Sequence, residues 1–186
     1  PIPAVHGGPV RLVVPGYYGT MFVKWLGRLR FEAEETSNHH QVRRYRTPRE
    51  PIPPGSEFEY GRENSDPNWR MRIKSVIFAP LEGQALPAGP IEADGVAFND
   101  GAAAIDAVLL STDGGRHWHS AEVEAPDGPY GWYRWQAKLE LPRGKHEIIA
   151  RAVDALGRSQ PLDGAVQWNP AGYGFSAADR VQIEVS

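Results

Sequence analysis

Ala107-Val108-Leu109-Leu110-Ser111-Thr112-Asp113-Gly114-Gly115 is the stretch that decides the fold class. Val108, Leu110 and Thr112 alternate with Leu109 and Ser111, the period-two pattern of a strand with one buried face. Asp113-Gly114-Gly115 then supplies a turn whose glycines accept positive φ, so the strand ends in a hairpin. Working outward, similar pieces recur on both sides. Ile73, Val76, Phe78 and Leu81 begin the series, followed by residues 90–98. Residues 117–123, 131–141, 146–154 and 180–185 continue it, and in the last Val181, Ile183 and Val185 alternate with Gln182 and Glu184. No long stretch shows helical spacing with caps. Seven or so short strands over roughly 115 residues predict a mainly β fold, an immunoglobulin-like sandwich covering residues 70–186.

Composition narrows the rest. The chain has 186 residues, 41% hydrophobic and 23% charged, which excludes wholesale disorder. A net charge of −3 gives no basic field for nucleic acid. The longest apolar runs are strand-length, so no segment is read as a membrane span. There is no Cys, hence no antibody-type bridge, thiolate ligand or cysteine nucleophile. No internal repeat is evident.

Ahead of the sandwich, residues 1–46 carry a predicted strand at 10–14, a Pro15-Gly16 turn and an apolar segment at 21–31. The polar residues 32–46 fit either a helix or irregular backbone. Residues 47–69 hold Pro48, Pro51, Pro53, Pro54, Gly55 and Pro67. Prolines at that density lack the amide donors of a central strand, so the stretch reads as an extended connector at a domain junction. The chain opens Pro1-Ile2-Pro3, directly ahead of a charged motif, and this predicts the C-terminal piece of a larger protein.

That motif is His6-Gly7-Gly8-Pro9-Val10-Arg11-Leu12-Val13-Val14-Pro15-Gly16, followed by Phe22-Val23-Lys24-Trp25-Leu26. An imidazole, a guanidinium and an ammonium on a turn-framed segment suit a ligand carrying phosphate, because each donates charge-assisted hydrogen bonds. Taken singly, the three also fit a half-buried His, a locally paired Arg and a solvated Lys. The whole string resembles the end of the molybdopterin-binding domain of sulfite-oxidase-type enzymes, a family that includes sulfite dehydrogenases and assimilatory nitrate reductases. The resemblance implies that His6, Arg11, Phe22, Val23 and Lys24 contact the pterin. It implies an immunoglobulin-like (E-set) β-sandwich preceded by the C-terminal remnant of an α+β molybdopterin-binding domain.

The same likeness extends to Gln41-Val42-Arg43-Arg44-Tyr45-Arg46, where it implies a catalytic role for Tyr45 beside the molybdenum. A phenol stays neutral and donates to a bound anion; Arg43 and Arg44 are left open between anion attraction and solvation. Trp168-Asn169-Pro170-Ala171-Gly172-Tyr173 is similar to a late family segment in which animal members place an Arg before the Gly. Ala171 stands there instead, one positive charge fewer, and Arg180 is the nearby substitute to consider. Ser111 to Trp118 resembles the hairpin of the family's dimerisation domain.

What the resemblance implies for function is a molybdenum-molybdopterin oxidoreductase acting on sulfite, another sulfur oxyanion or nitrate by oxo transfer. Electrons would pass to a cytochrome, commonly of c type, in a periplasmic homodimer paired through the sandwich. The molybdenum-ligating Cys is expected upstream, so this fragment alone is expected to be inactive and to hold no metal. Alternatives are a non-catalytic dimerisation or binding module and an unrelated adhesion or carbohydrate-binding domain. Trp132 and Trp135 fit an interface or a core. His117 and His119 share a strand face without a third ligand, and His39-His40 reads as polar surface. No Gly-rich phosphate loop and no G-x-S-x-G elbow is present.

Overall fold

In the computed structural model, which describes Pro1–Ser186, the chain forms two units. One comprises Pro1–Met71 with Ala165–Phe175, the other Arg72–Gly164 with Ser176–Ser186. The first is built from turns more than from regular elements. Short 3₁₀ turns span Ala4–His6 and Gly19–Met21. One helical turn, α1 (His39–Val42), starts where the Asn38 side chain accepts the His40 amide at 2.9 Å. Strands β1 (Arg46–Pro48) and β2 (Ser65–Pro67) pair antiparallel. The proline-rich stretch therefore loops between two paired strands. Arg49 closes that loop, donating to Asp66 at 2.9 Å and to the carbonyls of Glu63 and Arg62, each at 2.8 Å.

Residues 10–14 are not a sheet strand, contrary to the pattern reading. Leu12 donates to the Val23 carbonyl at 2.9 Å and Leu26 to that of Val10 at 3.0 Å, and the pairing goes no further. Pro9 and Pro15 bracket the segment without amide donors, so a ladder cannot extend past it. Val10 and Val13 are exposed, as are Val23, Trp25, Leu29 and Phe31. Beyond Met21 the apolar segment is irregular.

The second unit is a sandwich of two sheets. Its strands are β3 (Lys74–Ala79), β4 (Gln84–Leu86), β5 (Gly89–Phe98), β6 (Ile105–Ser111), β7 (His119–Ser120), β8 (Glu122–Glu124), β9 (Tyr133–Leu141), β10 (Gly144–Asp154) and β11 (Asp179–Val185). One sheet runs β4-β11-β10-β6-β7 and the other β3-β5-β9-β8. All pairs are antiparallel except β4 with β11. The alternation read from sequence is what the sheets bury: Val108 and Leu110 from β6, Ile148 and Ala150 from β10, Val181, Ile183 and Val185 from β11 face Ile91, Ala93, Trp135 and Leu139. The mainly β sandwich stands as expected.

One expected strand divides. Residues 117–123 split at Ala121, with β7 on β6 and β8 on β9, hence in different sheets. Ala121 keeps its amide on the Val108 carbonyl at 2.8 Å while the chain crosses over. A crossing of this kind leaves no mark in an alternating pattern. Trp135 is core, whereas Trp132 is exposed and stacks on Phe98 at 5.6 Å.

Two polar devices tie the sandwich together. Buried Gln160 accepts the amides of Ser75 at 2.6 Å and Ala152 at 3.0 Å, one from each sheet. Buried Asp154 and Asp100 share Arg158 at 2.7 and 2.8 Å. At the hairpin after β6, Asp113 accepts the His117 amide at 2.9 Å and its Nδ1 at 2.6 Å, and also the Arg116 amide at 3.0 Å. The His117 amide and ring hold the Asp113 carboxyl well below the usual carboxylate range. A depressed carboxylate stabilises the fold above its unfolded value and loses that contribution as pH falls through the folded value. Acidification from neutral pH to the ordinary carboxylate midpoint should thus leave the hairpin closed, with loosening only well below it. The amide resonances of Arg116 and His117 report this directly; movement already around the ordinary midpoint would contradict it.

Candidate functional site

The His6 to Lys24 segment converges on one glycine. Gly7 ends the first 3₁₀ turn with φ +95, its amide on the Ala4 carbonyl at 3.0 Å, a backbone that favours glycine. A Cβ there would lie 2.7 Å from Lys24 Cβ, 2.8 Å from Lys24 Cγ and 3.0 Å from Arg11 Cγ. The Arg11 and Lys24 stems therefore meet over Gly7, one residue from His6. The Gly7 carbonyl accepts the Trp25 amide at 3.1 Å and the Trp25 indole donates to the Ala4 carbonyl at 2.6 Å. Trp25 itself takes φ 51. These bonds fold residues 22–25 back onto the turn. Lys24 Nζ lies 5.7 Å from the Trp25 ring centroid.

Arg11 Nε is buried without a hydrogen-bond partner. An orphaned, charged donor is costly, and such groups are satisfied in working proteins. His6 is exposed. Phe22 closes the second 3₁₀ turn on the Gly19 carbonyl at 3.0 Å, and the Val23 carbonyl holds Leu12. The structure thus brings the Arg11 and Lys24 stems together over Gly7, the residue that follows His6. Phe22 and Val23 enter this arrangement through backbone hydrogen bonds, to the Gly19 carbonyl and from the Leu12 amide.

Tyr45 belongs to a second cluster in the same unit. It takes φ 53, a conformation unusual for a residue with a side chain, and its carbonyl accepts the Asn68 amide at 2.7 Å. Its ring lies 5.1 Å from that of Tyr173 and 6.3 Å from that of His40. His39 and His40 are both exposed, in line with their reading as polar surface, and the His40 ring on α1 lies near that of Tyr45. Asn169 locks the late loop to this place. Its Nδ2 donates to the Arg46 carbonyl at 2.9 Å, and its Oδ1 accepts from the Tyr60 hydroxyl and from the Ala171 amide at 3.0 Å. Burial pushes the Tyr60 phenol up, which keeps it a donor. Tyr173, Asn169 and Tyr60 join the Tyr45 cluster, and sequence alone assigned them no role.

Elsewhere the chemistry thins. No group of three His, Cys, Asp or Glu side chains is placed to hold a metal ion. Arg180, the substitute considered for Ala171, donates to Glu147 at 2.8 Å and to the Leu162 carbonyl at 3.1 Å, so its charge is already paired.

Comparison with known proteins places these features. A family model described as the Mo-co oxidoreductase dimerisation domain matches residues 65–186, and one described as the oxidoreductase molybdopterin binding domain matches residues 1–40. The fold and the cationic turn therefore define a part of the molybdenum-cofactor oxidoreductases. The chain belongs to the Mo-co oxidoreductase dimerisation domain family. Mitochondrial sulfite oxidase from Mus musculus is 35% identical across all of this chain, which covers 34% of that protein. A nitrate reductase from Hordeum vulgare is 29% identical across all of the chain, covering 22% of its own length. The sulfane dehydrogenase SoxCD from Paracoccus pantotrophus superposes with a TM-score of 0.72 at 27% identity, over 93% of this chain and 43% of that one. The chain spans about a third of the length of the sulfite oxidases it matches.

Proposed function

We propose that the full-length protein is a molybdenum-cofactor oxidoreductase acting on sulfite or a related sulfur oxyanion, with residues 1–46 the last part of its pterin domain. The observation that carries this is the buried, partnerless Arg11 Nε, with the Lys24 stem packed beside the Arg11 stem at Gly7. That donor set fits a phosphate-bearing pterin: a guanidinium and an ammonium bind the phosphate by charge-assisted bonds, and an exposed imidazole one residue away adds a third donor. When bound, the molybdenum group supplies the redox and oxo-transfer chemistry, which no side chain of this segment offers. The exposed apolar residues between Val10 and Phe31 support the same reading, since a larger pterin domain would cover them.

Tyr45 carries a phenol O–H, which would orient an anion by donating a hydrogen bond. In the full-length enzyme Tyr45→Phe should lower turnover by ~10- to 100-fold, the range of one lost bond to a charged group. Pterin content should hold. Equal loss of pterin and turnover would show that Tyr45 serves the fold instead.

Residues 70–186 pair two protomers in this reading, supported by the family model's description and by the exposed Phe78 on β3 and Trp132 just ahead of β9. Light scattering of the full-length protein should give twice the protomer mass. A c-type cytochrome as electron acceptor and the periplasm as location follow from the bacterial resemblance. The deciding experiment is a steady-state assay of the full-length protein with sulfite, thiosulfate and nitrate and an artificial electron acceptor. Turnover of a sulfur oxyanion is expected; turnover of nitrate alone would reassign the substrate.

A further inference from the structure

Five Asp-Gly pairs occur in this chain: Asp94-Gly95, Asp100-Gly101, Asp113-Gly114, Asp127-Gly128 and Asp163-Gly164. The dipeptide is intrinsically labile, because glycine has no Cβ to keep its amide nitrogen away from the preceding carboxyl carbon. Whether a given pair reacts depends on how firmly the fold holds its two reacting groups. Four pairs are held. Gly95 lies inside β5 with β3 on one side and β9 on the other, so Asp94-Gly95 cannot leave the extended conformation without opening both ladders. The Asp100 carboxylate is buried on Arg158 at 2.8 Å, and the Gly101 amide donates to Asn99 Oδ1 at 2.8 Å. Asp113 accepts from Ser111, Arg116 and His117, the bonds that close its hairpin. Asp163 is also engaged, and Gly164 opens a 3₁₀ turn, Gly164–Gln167.

Asp127-Gly128 is different. Both residues are exposed, on the connection between β8 and β9. Asp127 has no hydrogen bond or ion pair, and the Gly128 amide donates to no group of the chain. Nothing lies within 4 Å of a Cβ at Gly128. The neighbours are fixed instead. A Cβ on Gly131 would lie 2.4 Å from Pro126 Cβ, one on Gly101 would lie 2.6 Å from the Tyr130 ring, and Trp132 stacks on Phe98. These anchors flank the dipeptide without including it.

We propose that Asp127-Gly128 is a modification site, at which the aspartate isomerises spontaneously to isoaspartate through a cyclic imide. The Gly128 nitrogen attacks Asp127 Cγ: an N–Cγ bond forms, a Cγ–O bond breaks, and the carboxyl hydroxyl leaves as water with the amide proton. One water then adds to either imide carbonyl and opens the ring. Opening one way restores aspartate; the other way leaves isoaspartate, in which the main chain runs through Cβ and Cγ. Water is the only other reactant. The product lengthens the backbone by one carbon at an exposed loop, where insertions are tolerated, so the sandwich keeps its fold.

Ageing the full-length protein at physiological temperature in mildly acidic buffer tests this. The probe is an L-isoaspartyl methyltransferase, which moves an isotopically marked methyl from S-adenosylmethionine to the new α-carboxyl. Peptide mapping should find the label in the peptide holding Asp127, together with a form of that peptide lighter by one water. Asp127→Glu should lose this label, since the longer side chain closes a larger ring far more slowly. Gly128→Ala should cut the rate severalfold with an unchanged melting temperature, because the added methyl meets nothing. Protein unfolded in urea before ageing should carry label at the other four pairs as well. Label spread evenly over the five pairs of the native protein would overturn the proposal. So would a native protein that gains none at Asp127 until it is unfolded.

Discussion

Gly95→Ala should lower the melting temperature of the sandwich by about 10 °C. Gly95 sits on β5 opposite Ile77 on β3 and Trp135 on β9. A Cβ there would lie 2.0 Å from the Val76 carbonyl oxygen, and 2.6 and 2.8 Å from two indole carbons of Trp135. The first contact is with backbone, so no rotamer change relieves it, and the strands must part. Trp135 is itself buried and held by its neighbours in the core. Overpacking of a tight core costs ~1–3 kcal/mol, and a backbone clash takes the upper end or more. For a chain of this size each kcal/mol moves the midpoint by about 2–4 °C. Gly128→Ala is the control, since nothing lies within 4 Å of its Cβ. Calorimetry of both variants decides: a shift within about 2 °C for Gly95→Ala would mean the sheet yields where the geometry says it cannot.

The second large effect falls on the cationic turn. Gly7→Ala places a methyl against the stems of both Lys24 and Arg11, at a φ of +95 that strains any other residue. The strain alone costs ~1–2 kcal/mol. Displacement of the two stems should do more, because the methyl pushes both cation-bearing side chains off the turn. Arg11→Leu removes the guanidinium with its buried Nε and keeps the apolar stem. The loss of a charge-assisted bond should weaken pterin binding by ~10- to 100-fold. Because the orphaned Nε goes too, stability of the pterin-free protein should hold or rise. That pairing of weaker binding with undiminished stability separates a ligand-binding role from a structural one.

These sites differ in how much of them the sequence alone discloses. Strands β5, β6, β9, β10 and β11 show plainly, because each buries one face and alternation is the direct imprint of that burial. The change of sheet at Ala121 is invisible for the same reason: the alternation continues while the partner changes. Residues 10–14 mislead because five residues rich in valine look like a strand whether or not a sheet exists to receive them. Near Tyr45 the limit is distance along the chain. Arg46 and Asn169 are 123 residues apart, so nothing local announces that Tyr173 closes on Tyr45. Nor does a run of arginines say which are spent; only the partners of Arg43, Arg46 and Arg49 leave Arg44 as the free one.

The cationic turn at Gly7 as a pterin-phosphate site is the claim on which the functional account stands. Molybdenum and pterin content of the purified full-length protein, measured for wild type and for Arg11→Leu expressed alike, tests it most directly. About one of each per wild-type subunit is expected, with a marked loss of both in the variant while its fold persists. A wild-type protein holding neither, or an Arg11→Leu protein loaded as fully as wild type, would contradict it.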